Sequence, residues 1–210
     1  MTDIGPTGYM SDGEIVAWLE QKSNDQYHGL KAEMNASDER AKLIEDLTDA
    51  RAAVDGNDPN GAFEKLGTIA ENCEDPDTQA FVLDEQVQLL GWVTGGHDKA
   101  KQLDTAIDGS SLSDIDKQAL KDKVTHAQDV MTATDTNADT DENRKTHDQQ
   151  KQKVSEALDG RTTDLAHLDQ IAMLNIQQAV ADSKQTQELA SNILSSREQA
   201  SMAIVGNIRG

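Results

Sequence analysis

The chain has 210 residues, with 39 acidic and 19 basic side chains and a formal net charge of −20. Such a charge repels nucleic-acid phosphates and anionic headgroups, so nucleic acid and polybasic membrane binding are set aside. An apolar share of 36% is low for one compact core but, falling in periodic runs, too ordered for full disorder. Such acidity also fits simple solubility or a salt-adapted source.

Residues 1–10 carry no basic n-region and no apolar h-region, so no cleaved secretory signal is expected. No stretch approaches the roughly 20 apolar residues of a membrane span. A first long helix is predicted over 11–55. Ser11 and Glu14 have the spacing of a capping box. Ile15, Leu19, Tyr27, Leu30, Met34, Ala41, Ile44, Leu47 and Val54 follow at mostly helical spacing and are expected on one face. Ser37 could cap a second helix, but with no Pro or Gly beside it the continuous helix is preferred.

A helical insert is predicted over 56–131. The Gly56–Gly61 stretch, with Pro59 inside it, reads as a dense turn, and Asp75 with Pro76 as a helix cap followed by proline at the first helical position. Helices are expected over Gly61–Asn72, Asp75–Val93, His97–Ile107 and Ser113–Thr132. The aromatic residues all precede residue 93. The compact core is therefore assigned to Phe63, Leu66, Ile69, Phe81, Val82, Leu89, Leu90, Trp92 and Val93.

Residues 132–160 read as an acidic polar linker and helix, with first anchors at Val154 and Leu158 and a turn or kink at Asp159–Gly160. A C-terminal long helix is then expected within the fifty residues 161–210, with about 45 of them helical and roughly 65–70 Å long. Only 11–54 has matching length. The expected fold is all-α: a long antiparallel coiled coil of the N- and C-terminal helices with a smaller helical insert.

The residues that could carry chemistry do not assemble in sequence. His28, His97, His126, His147 and His167 fit no metal spacing, and Cys73 has no second cysteine and no activating neighbour. Asp135–Asp141 alternates like the start of an EF-hand loop, but Thr140 stands where the loop needs glycine and Thr146 where it needs glutamate. No cofactor, metal site or enzymatic activity is expected.

The last helix carries the functional reading. Small residues (Ala190, Ala200, Ala203) beside apolar ones invite a partner helix. Ser191, Asn192, Ile193, Arg197, Ala200, Ile204, Asn207 and Ile208 give an ending that resembles the C-termini of extracellular type III secretion apparatus proteins, the needle-tip and filament components (EspA-like). That resemblance implies a secreted, self-assembling protein of the bacterial cell surface, involved in virulence and cytoplasmic before export. It implies an export signal before Ser11, and as partners a second copy, the needle subunit, an export chaperone and translocator proteins. The expected interface is Leu189, Ile193, Leu194, Ala200, Met202, Ile204, Val205 and Ile208. Two other readings stay open: a cytosolic helical adaptor or regulator docking one partner through the same helix, and a secreted helical effector.

Overall fold

The computed structural model describes residues 12–133 and 141–208. Among them are six helices and no strand: α1 (Asp12–Asp55), α2 (Pro59–Asn72), α3 (Pro76–Leu89), α4 (Gly96–Gly109), α5 (Asp114–Ala133) and α6 (Asp141–Ile208). The all-α class is as expected. Helix α1 runs through Ser37 unbroken. The Ser11 cap and the acidic loop up to Thr140 lie outside the described residues.

One expectation is corrected. Asp159–Gly160 makes no turn, and α6 continues through it to a length of 68 residues, about 100 Å of helix. A Cβ at Gly160 would meet nothing within 4 Å, so the backbone there is ordinary helix with room around it. A single glycine costs a helix only about 1 kcal/mol. Flanking contacts outweigh that cost: Leu158 and Leu165 are buried on either side.

The chain forms two compact units. Unit 2 is Arg40–His167, and unit 1 combines residues 1–39 with 168–210. Unit 2 contains one contiguous core. Leu66 and Phe63 of α2, Val82, Leu83 and Leu89 of α3, Leu103 and Ile107 of α4 and Val124 of α5 meet there. The ends of the two long helices join them: Leu47, Ala50 and Val54 from α1, Val154, Leu158 and Leu165 from α6. The core therefore extends beyond the predicted insert. Phe81 and Trp92, expected inside it, pack at its edge and are only partly buried.

Local chemistry fixes the helix starts in unit 2. Asp58 caps α2 by accepting from Gly61 N at 2.8 Å, so the predicted turn already begins a helix with Pro59 in its first turn. Asp75 caps α3, accepting from Thr78 N at 2.9 Å and Thr78 Oγ1 at 2.6 Å. These bonds, the hydroxyl's first, hold the Asp75 carboxyl below its ordinary value against the effect of burial, with help from the Arg161 guanidinium. Arg161 of α6 also donates to Thr78 Oγ1 at 2.9 Å and lies over the Phe81 ring. Buried Gln79 donates to the carbonyls of Ala70 and Cys73 and accepts from Ser111 N and Oγ, joining α2, α3 and the α4–α5 connection. Gly95 takes a left-handed φ of 72°, which turns the chain into α4.

Unit 1 is a pair of antiparallel helix segments. Ser37 Oγ donates to Asp169 Oδ1 at 2.5 Å near one end, and Leu19 and Leu194 line a common groove towards the other.

Candidate functional interface

The unit 1 seam can be read residue by residue. On α1 the buried or half-buried positions include Val16, Leu19, Ser23, Gln26, Leu30, Glu33 and Ser37; on α6 they include Asp169, Ala172, Ile176, Ala179, Ser183, Thr186, Ala190 and Ile193. Both series advance in alternating steps of three and four, the period of a coiled-coil seam. The composition is unusual for such a seam. Most of these side chains are small or polar, and of those named only Leu19, Ala172 and Thr186 are buried rather than half-buried.

Apart from Val16, Leu19, Leu30, Ile176 and Ile193 in the seam, many large apolar side chains of unit 1 lie on the outside. Among the described residues, Tyr27, Met34, Leu168, Ile171, Met173, Leu174, Val180, Leu189, Leu194 and Met202 are about half exposed or more, against Ile115 and Val130 in unit 2. The expectation that Tyr27, Met34 and Ala41 share one face of α1 with Leu19, Leu30 and Leu47 is therefore corrected: they are exposed, while Ser23, Gln26, Glu33 and Ser37 take inner positions. Seven-residue spacing kept Tyr27 and Met34 in one stripe, but that stripe lies beside the seam.

One flank of the helix pair holds an open groove of about 600 Å³. Ser23, Ser183, Thr186 and Ala190 supply its small seam-side residues, while Leu19, Tyr27 and Leu194 supply apolar surface and Glu20, Asn24, Gln187 and Ser191 polar surface. Met34 lies one heptad beyond Tyr27. Met173 and Val180 lie at heptad steps before Gln187 and Leu194, so they extend the same flank. The opposite flank of α6 carries Leu168, Ile171 and Leu189.

The residues expected at the interface separate accordingly. Leu194 belongs to the groove, Leu189 to the opposite flank, and Ile193 points into the seam and is half-buried. Ala200 and Met202 are exposed. The side chains of Ile204, Val205 and Ile208 lie outside those described, although the backbone is helical to Ile208. Sequence reasoning missed Tyr27, Met34, Met173 and Val180 as a joint surface. The signal was their seven-residue stepping on both helices.

Other places offer less. A smaller cavity of about 190 Å³ in unit 2, bordered by Phe63, Gly67, Gln86 and Leu103, is polar, and Gln86 Nε2 is already committed to Phe63 O at 2.8 Å. Glu85 is 8% exposed, and burial, with the neighbouring Asp84 carboxylate adding and Lys123 opposing, pushes its carboxyl up to about 7. The Asp84 carboxylate beside it is tied to Lys123 Nζ at 2.6 Å. Among the described residues no group of three or more His, Cys, Asp or Glu side chains could hold a metal ion, and no helix is long and apolar enough to cross a membrane.

No protein-family model, curated protein or solved structure matches the chain.

Proposed function

We propose that this chain is a non-catalytic helical assembly protein, with unit 1 as its assembly element, of the kind found in extracellular type III secretion tips and filaments. The observation that carries the assembly reading is the set of large apolar side chains left exposed in unit 1, around a seam that mixes aliphatic residues with small and polar ones. Exposed apolar side chains that share one flank, as Tyr27, Met34, Met173, Val180 and Leu194 do, mark an interaction site. Unit 2 has a packed core of its own that uses large aliphatic side chains. The secretion class rests on the resemblance of the Ser191–Ile208 string, and it brings the needle subunit, a chaperone and translocator proteins as partners.

Two measurements test the reading separately. Light scattering of the full chain at rising concentration should give a mass above the monomer that grows with concentration. A constant monomer mass overturns self-assembly and favours an adaptor that docks one foreign partner. Expression in a bacterium with a working type III apparatus should place the chain in the culture supernatant, and loss of the export ATPase should abolish this. Retention in the cell under inducing conditions removes the secretion class and leaves the assembly reading in place.

A further inference from the structure

We infer that the groove flank of unit 1 is a homodimer interface, in which two copies pair their Tyr27–Met34 and Met173–Leu194 faces about a twofold axis to make a four-helix bundle. This rests on the assembly reading above and names both the surface and the occupant.

Geometry supplies the first argument. Apolar side chains repeat by heptads on both helices of this flank, with small residues between them. A bundle requires that pattern, because a ridge from one helix pair must enter the hollow of the other. The same surface holds both ridge and hollow, so it can complement itself, as a twofold interface must.

Area supplies the second. The α1 segment of unit 1 spans about 42 Å, and two helices side by side are about 20 Å wide. The flank therefore offers about 800 Å², the share per partner of a standard specific interface.

Charge supplies the third. The whole chain stands at −20, which opposes self-association. This flank is an exception. Glu20 and Asn24 line the groove, Lys31 and Asp38 follow Asn24 at heptad steps, and Lys184 and Glu198 lie one heptad either side of Ser191. Acidic and basic groups are thus nearly balanced there. A basic partner would be expected to meet an acidic flank, whereas a second copy needs a neutral one.

Sedimentation of the full chain tests the inference. The unmodified protein should sediment as a dimer. The double variant Val180→Glu, Leu194→Glu should raise the dimer dissociation constant by at least about 100-fold, because each buried, unpaired carboxylate enters a twofold interface twice. Circular dichroism should show unchanged helix content, since both side chains are about half exposed in the single chain. The control Ile171→Glu, Leu189→Glu on the opposite flank should leave the dimer intact. A groove variant that stays dimeric overturns the inference. If the control or a truncation before Ala203 dissociates the dimer instead, the groove is the wrong face and the assembly reading survives. A full chain that is monomeric throughout overturns both. Hydrogen exchange on the unmodified chain gives a second readout that needs no substitution: amides over 27–34 and 173–194 should slow as concentration rises. Concentration-independent exchange there also overturns the inference.

Discussion

The two units use the same helices in opposite ways. In unit 2, Leu47 of α1 and Leu158 of α6 are fully buried in a core closed by four shorter helices. In unit 1, among the described residues, the same two helices pack on each other alone, and Leu174 stands 65% exposed. Two helices can shield one stripe each, whereas six can cover several. The difference shows that α1 and α6 are not uniformly amphipathic. Their inner stripe is mostly aliphatic in unit 2, whereas in unit 1 small and polar side chains such as Ser23, Gln26, Ser183 and Thr186 stand among the aliphatic ones.

The largest expected effect breaks this contrast directly. Leu158→Ala should lower the unfolding free energy by about 2–5 kcal/mol, the cost of a cavity in a closed core. Leu174→Ala in the same helix should change it by less than about 0.5 kcal/mol, as for a surface site. Urea titrations followed by circular dichroism measure both. Equal losses would mean that the outside of unit 1 is covered in solution.

A medium effect concerns Glu85. Its folded-state value of about 7 lies above the ordinary 4.5. The folded state therefore holds the proton more tightly than the unfolded chain. The stabilisation is complete below about pH 4.5 and lost as pH rises through about 7. Glu85→Gln should raise the melting temperature at pH 8, by an amount corresponding to about 1–2 kcal/mol, and change it little at pH 4.5. A gain independent of pH would remove the titration of Glu85 as its cause.

The smallest effect sharpens the account of α6. Gly160→Ala should stabilise by about 0.5–1 kcal/mol, because alanine is the better helix former and has space at this position. Destabilisation would mean that the backbone bends there, as Asp159–Gly160 first suggested.

Much of the fold was legible in advance because its signals are local. Asp75–Pro76 announces a helix start, and Ser113 opens α5 by accepting from Asp116 N at 3.2 Å. The absence of proline or glycine near Ser37 matches a continuous α1. The groove was less legible. Tyr27 and Leu30 both look apolar and helically spaced, yet Tyr27 is 60% exposed while Leu30 lies in the seam. A helix has 3.6 residues per turn, so neighbouring apolar stripes overlap in sequence. Only the position of the partner helix decides which stripe faces inwards.

By itself, then, the sequence determined the helix class, most helix starts and the acidic, aromatic-poor character that favours long helices. Those properties depend on residues within a turn or two of one another. The tertiary structure decided that α6 continues through Gly160, that both long helices enter the unit 2 core, and that Ser23, Ser183 and Ala190 face inwards while Tyr27, Val180 and Leu194 face out. Those outcomes depend on which surfaces meet across long stretches of chain, and no local spacing encodes that choice.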